Sequence, residues 1–306
     1  MKYEKNKNRY TRAFLYYRYG VLWKNFFESL GCNVILSPET NKEILDLGVN
    51  NTIDECCLSY KIYIGHALYL SKKCDYILVS RVCDYGKKDK VCTRLNATYD
   101  NLKQLIPSKQ LIEYNIDYTH HKYTFFSFYK MGLKFIKNPI KIIASYIIAN
   151  KKQKQHNKNK AQEEKNKLLK PNKKILILSH QYNIKDKFIS SYIIEYLKKE
   201  NIIPISPYNF PKSITTSFSE YFSNTLYWKY SKEMIGALYY TKNQIDGIIF
   251  ISTYPCGIDS LVNNLAIRKN PDKPTLNLLI DQNITELSLE TKLESFIDII
   301  KGGYNE

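Results

Sequence analysis

Apolar and polar positions alternate between two rhythms along this chain, and the alternation predicts strands and helices in turn. Val21–Leu30 carries apolar residues at helical spacing and stops at Gly31, a good helix terminator. Cys32–Ser37 reads as a strand, Asn41–Leu47 as a short helix closed by Gly48, Ser59–Leu70 as a helix and Tyr76–Ser80 as a short buried strand. Tyr99–Leu105 has helical spacing and Gln110–Ile116 the pattern of another strand. Arg12–Tyr17 reads as a first strand, although aromatic runs suit either period. This rhythm is that of βαβ units with a parallel sheet.

Between residues 120 and 170 the texture changes. Phe125–Met131 and Ile140–Ile148 suit helices, the second opened by Pro139, where a missing N–H costs nothing. The Lys/Gln/Asn-rich remainder is polar all round, either a solvated helix or a flexible connector. The α/β rhythm then restarts: Lys174–Ser179 is a strand, Lys185–Glu200 a helix, Ile202–Ser206 a strand and Tyr227–Tyr240 a helix. The apolar run Ile248–Ile251 reads as a buried strand stopped by Pro255, and Asp259 or Ser260 can cap the helix that follows. Thr275–Ile280 and Glu286–Ile300 complete the pattern. The expected fold is α/β, with two Rossmann-like or flavodoxin-like parallel-sheet domains at 1–118 and 173–306 joined by a helical, Lys-rich connector at 119–172. No residue-level repeat relates the two halves.

The 306 residues suffice for two ordinary domains. The formal net charge of +17 would point to nucleic acid if it formed one folded patch. Residues 151–174, however, hold ten lysines against two glutamates, and the rest is spread through a Lys-, Asn- and Ile-rich composition. Nucleic-acid binding is therefore not expected; membrane or nucleic-acid association through 151–174 is the third reading. Met1–Lys7 has no apolar signal core, and no stretch offers the roughly 18 uninterrupted apolar residues of a spanning helix. A cytoplasmic protein is expected, in which cysteines are core, metal-binding or catalytic and not a disulfide framework.

Seven cysteines occur. Cys57 stands just before a helix, Cys92 after a polar loop and Cys256 on a strand-to-helix turn. Thiols on such loops, drawn from both domains, suit a cofactor held in an interdomain cleft, since soft thiolates select zinc or iron–sulfur clusters. The plain alternative is a buried thiol in a turn. Spacing alone does not decide: 34 residues lie between Cys57 and Cys92 and 163 between Cys92 and Cys256, unlike a compact CxxC pair. Cys32, Cys74 and Cys83 read as core or surface thiols, His66 and Lys61 as scaffold or cluster surroundings. His180, at the carboxyl end of a strand, is placed as well for function as for structure.

Several separate segments carry a resemblance: Arg12–Tyr17, Ser37–Gly48, Asp54–Lys61 with Gly65-His66, His180–Ile184 and Tyr254–Val262. Together they resemble the acyl-CoA dehydratase activase-related proteins (DUF2229), allied to the 2-hydroxyacyl-CoA dehydratase subunits. The resemblance implies an iron–sulfur cluster, 4Fe-4S, held by Cys57, Cys92 and Cys256. It also implies a separate ATP-dependent activase supplying a low-potential electron, an acyl-CoA substrate from which hydroxide leaves, and a homo- or heterodimer. The chain has no GxxxxGK[S/T] loop, so ATP work would belong to the partner. Where the family tends to carry proline, this chain has Ser59, Thr93 and Gln181, and Cys56 occupies the place of a commonly small residue and could be an extra ligand. The alternatives are a non-catalytic cluster-binding or accessory subunit and a double-cubane reductase of small molecules.

Overall fold

The computed structural model of the protein describes residues 7–302. The polar head at residues 1–6 lies outside the described residues. The chain divides into two compact units, one of residues 1–157 with 227–229, the other of 158–226 with 230–306.

In the first unit the elements are β1 (Lys7–Tyr10), α1 (Tyr16–Ser29), β2 (Asn33–Leu36), α2 (Lys42–Asn50), α3 (Leu58–Ser71), β3 (Tyr76–Asp84), α4 (Thr93–Leu105), β4 (Leu111–Asp117) and α5 (Thr124–Leu133). The long α6 (Pro139–Leu168) starts there and ends in the second unit. The sheet has the order β2-β1-β3-β4 and every pairing is parallel. Its core is aromatic: Phe26 meets Phe128 edge-on at 4.7 Å, and Trp23 meets Tyr114 at 5.3 Å, geometries that suit the ring quadrupole.

The second unit continues with β5 (Lys174–Leu178), α7 (Gln181–Lys185), α8 (Lys187–Lys199), β6 (Ile203–Ile205), α9 (Lys212–Ser219), α10 (Lys229–Thr241), β7 (Gly247–Thr253), α11 (Gly257–Lys269), β8 (Thr275–Ile280) and α12 (Glu286–Lys301). Its sheet, β6-β5-β7-β8, is again all parallel. Helices cover both faces of such a sheet, so its inner strands are continuous apolar runs. Accordingly, all seven residues of β7 are buried. The expected α/β class with parallel sheets is what forms. The two strand orders are also the same, a repeat of topology without a repeat of residues.

Four local expectations are corrected. The first strand is Lys7–Tyr10 and not Arg12–Tyr17: Tyr16 and Tyr17 continue the helical run of α1, and Phe14, at φ 47°, turns its ring onto Tyr63 of α3 at 4.9 Å. Gly48 does not close α2 but lies within it, because α2 and α3 pack backbone to backbone. A Cβ on Gly48 would lie 1.9 Å from the Lys61 carbonyl oxygen, and one on Gly65 1.9 Å from that of Ile44. The helix expected over Lys185–Glu200 forms as α8 but starts two residues later, because Lys185 ends the separate α7 and Asp186, whose carboxylate accepts from the amides of Phe188 and Ile189, caps α8. Neither Asp259 nor Ser260 caps α11, since Cys256 is its N-cap and Asp259 lies inside the first turn.

Of the two readings left open for the Lys-rich segment, the helix forms: α6 runs unbroken for 30 residues, with Lys151, Lys152, Lys154 and Lys158 exposed. Buried polar side chains anchor it in each unit. Gln153 Oε1 accepts from the Leu22 amide at 2.9 Å in the first. Glu164 accepts from the Ser206 amide and from Asn209 Nδ2, both at 2.7 Å, in the second. Among the described residues no helix is long and apolar enough to cross a membrane.

Candidate functional site

In open parallel sheets of this order, the crevice lies at the carboxyl ends of the two strands from which the connections diverge. Those strands are β1 and β3 in the first unit and β5 and β7 in the second. The loops leaving β3 and β7 lead to Cys92 and Cys256, and β5 is followed by Ser179 and His180.

Cys57, Cys92 and Cys256 are the N-cap residues of α3, α4 and α11, helices of 14, 13 and 13 residues. Each has the non-helical backbone of an N-cap, and its carbonyl already accepts a helical amide: Lys61 on Cys57, Leu95 on Cys92, Ser260 on Cys256. Capping itself favours Ser, Thr, Asp and Asn. Asn41, Asp186 and Thr285 follow that rule and accept first-turn amides through their side chains, whereas α1, α5, α7 and α9 open at Leu15, Tyr123, His180 and Pro211 without a side-chain cap. Cysteine at an N-cap instead places sulfur where helix dipole and open amides favour the thiolate.

Within the first unit, side chains of α4 reach α3 and the segment ahead of it. Arg94, two residues into α4, donates from Nη2 to the Glu55 carbonyl at 3.4 Å, just ahead of Cys57, and its guanidinium lies 5.7 Å from the centre of the Tyr60 ring. Asn101 Nδ2 donates to the Tyr60 hydroxyl at 2.6 Å. Lys61, one turn after Cys57, is 3 % exposed, with its ammonium 3.9 Å from the carboxylate of exposed Asp54. Cys56 is buried directly before the cap. Of the other thiols, Cys74 donates to the Leu70 carbonyl and Cys83 to Asn96 Oδ1. Burial, with Asp117 second, raises the Cys83 pKa.

His66 is part of the scaffold. Fully buried, it sits between the Ser37 hydroxyl, 2.8 Å from Nδ1, and the Thr40 hydroxyl, 3.0 Å from Nε2. Burial first, and then the charge of Arg12, push its pKa down to about 3, so the imidazole is neutral and ties α3 to the end of β2.

In the second unit, His180 is 8 % exposed. Its Nε2 lies 3.0 Å from Asp259 Oδ1, its Nδ1 3.4 Å from the Tyr208 hydroxyl, and its ring stacks on Tyr182 at 4.9 Å. Asp259 and Asn263, one turn apart on α11, are each 1 % exposed. Beyond the approach of His180 Nε2 to Asp259 Oδ1, the carboxylate of Asp259 and both amide atoms of Asn263 have no hydrogen-bond partner among the described residues. Each such atom costs about 1–3 kcal/mol when buried. Sequence reasoning singled out His180 by its strand-end position, took Asp259 for a cap, and missed Asn263 and Tyr208, which carry no local signal of a site.

The three cysteines are the donors that a thiolate-ligated centre needs, and in kind they fit an iron–sulfur group. Cys57 and Cys92 belong to the first unit and Cys256 to the second. Among the described residues, His, Cys, Asp and Glu side chains form no group of three or more that could hold a metal ion.

A search of curated proteins finds no match. The family described as the CoA enzyme activase uncharacterised domain (DUF2229) matches residues 10–209. That span holds Cys57, Cys92 and His180 and ends before Cys256 and Asp259. Since the match covers well over half of the chain, this protein belongs to the CoA enzyme activase uncharacterised domain family.

Proposed function

We propose that this chain is the iron–sulfur component of a 2-hydroxyacyl-CoA dehydratase-type system, with Cys57, Cys92 and Cys256 as the thiolate ligands of a 4Fe-4S cluster. The observation that carries the reading is the place of three cysteines, each at the N-cap of a helix of 13 or 14 residues. When bound, a cluster with three protein thiolates supplies single-electron transfer and an iron site open to a substrate oxygen. The chain's own residues supply the rest. The N-termini of α3, α4 and α11 favour the thiolate state, and neutral His66 ties α3 to the segment after β2. The family's description supports a partner among CoA-linked enzymes, and an ATP-dependent activase that delivers the electron is the partner this reading requires.

The test is anaerobic reconstitution of the full chain with iron and sulfide, followed by assay of iron and acid-labile sulfide. About four of each per chain are expected in the wild type. Single Cys57→Ala, Cys92→Ala and Cys256→Ala variants should each lose most of both. A wild type that stays colourless, or variants that load as well as it does, would refute the assignment.

A further inference from the structure

The charge of this chain is most one-sided between Asp117 and Glu163, where residues 118–162 hold ten lysines and no acidic residue. α5 and the first half of α6 lie in that stretch and pack on each other. A Cβ on Gly132 would come within 2.6 Å of the Ile142 side chain, and the Tyr146 ring meets those of Phe125 at 5.4 Å and Phe128 at 5.2 Å. Towards the protein α6 turns Ile142, Ser145 and Ala149, all buried. Its outer side carries Ile140, Ile143 and Ile147 at the spacing of one helix ridge, with Ile148 beside them. Ile140 is 77 % exposed and Ile147 59 %, and on α5 Phe126 and Leu133, two turns apart, are exposed as well. Isoleucine is among the residues most often buried, so four of them exposed within nine residues form an apolar surface that packing within this chain does not use. Exposed lysines interleave with it: Lys130 between Phe126 and Leu133, Lys137 and Lys141 on either side of Ile140, and Lys151 one turn beyond Ile147.

We propose that this exposed side of the α5/α6 pair rests on an anionic lipid surface, its isoleucines entering the boundary between headgroups and acyl chains and its lysines meeting lipid phosphates. The association is peripheral, since among the described residues no helix is long and apolar enough to cross a membrane. Charge decides between the occupants of such a face. A second copy would set the face against its own image, lysine towards lysine, with no carboxylate from the segment to separate them. A nucleic acid would take the lysines and leave the isoleucines in water, because its phosphate backbone offers them no apolar contact. An anionic bilayer meets both needs at once. It gives the isoleucines apolar depth, and the lysine stems lie along that apolar surface while their ammonium groups reach the headgroups.

The full-length protein is floated on a density gradient with phosphatidylcholine vesicles that contain either no anionic lipid or roughly one third phosphatidylglycerol, in about 0.1 M salt. The wild type should partition into the anionic vesicles about tenfold more than into the neutral ones, and should lose most of that binding in about 0.5 M salt. Ile140→Glu/Ile147→Glu and, separately, Lys137→Glu/Lys141→Glu should each weaken it by about tenfold or more. Lys198→Glu/Lys199→Glu, the same charge change at exposed lysines of α8, should stay within about twofold of the wild type. All four substituted positions on α6 and its approach are exposed, so their urea midpoints should match the wild type, and the lysine pair keeps the test independent of any loss of folding in the isoleucine pair. A wild type that stays out of anionic vesicles, or a Lys198→Glu/Lys199→Glu variant that loses binding equally, would overturn the proposal. Binding that follows the lysines and ignores the isoleucines would also overturn it. So would a wild-type dimer in sedimentation velocity that Ile140→Glu/Ile147→Glu converts to monomer, which would make the face an interface between copies.

Discussion

His66 shows how one buried side chain makes stability depend on pH. Its folded pKa of about 3 lies below the ordinary histidine value, from burial first and the Arg12 charge second. Below about pH 6.5 the unfolded chain therefore takes up a proton that the folded chain refuses, and stability falls as pH drops towards 3. The loss from this group is about 1.4 kcal/mol per pH unit in that window. Urea unfolding at pH 7.5 and pH 5.0 should show the wild type losing about 2 kcal/mol more than His66→Gln; equal losses would mean that His66 is not held neutral. At this scale the sequence was informative about position and poor about partnership. His66 read as scaffold and proved to be one, and His180 stood out at a strand end. The pairing of Asp259 with His180 required the fold to bring residues 79 positions apart together. Asn263 differs in no local way from any polar residue on a helix.

At the scale of elements, α2 and α3 determine where Cys57 sits. Gly48 and Gly65 let the two helices meet through their backbones, and a methyl group at either would run into a carbonyl oxygen that cannot move as a side chain can. Gly65→Ala is expected to cost about 3 kcal/mol, at the upper end of overpacking changes, read as a lowered urea midpoint; a loss below about 0.5 kcal/mol would show that the helices are not in contact. Most strands were legible because both faces of a parallel sheet are covered and the strands are apolar throughout, as in Ile175–Leu178 and Ile248–Ile251. Arg12–Tyr17 misled because aromatic residues suit a helix's buried face as well as a strand. Gly48 misled because a glycine that ends a helix and one that admits a neighbouring helix look alike in sequence.

For the whole molecule, two sheets of identical order arise from sequences with no residue-level repeat. Topology of this kind needs only the succession of apolar strands and amphipathic helices, and those tolerate wide exchange of side chains. The same equivalence makes Cys92 and Cys256 counterparts, each opening the helix after the third strand of its sheet. The net charge of +17 is carried partly by exposed lysines along α6, a helix tethered by Gln153 in one unit and Glu164 in the other. Residue types and turn positions made the three thiols visible as candidates. Their common role as N-caps became visible only with the helices in place, and their joint assignment to a cluster drew on family resemblance.

The central claim, that these thiols serve one iron–sulfur centre, is tested most directly by electron paramagnetic resonance of the protein reconstituted and dithionite-reduced under strictly anaerobic conditions. A half-integer-spin signal of a reduced 4Fe-4S cluster is expected in the wild type and its absence in Cys256→Ala. A wild type silent in both oxidised and reduced states, with no bound iron, would contradict the account.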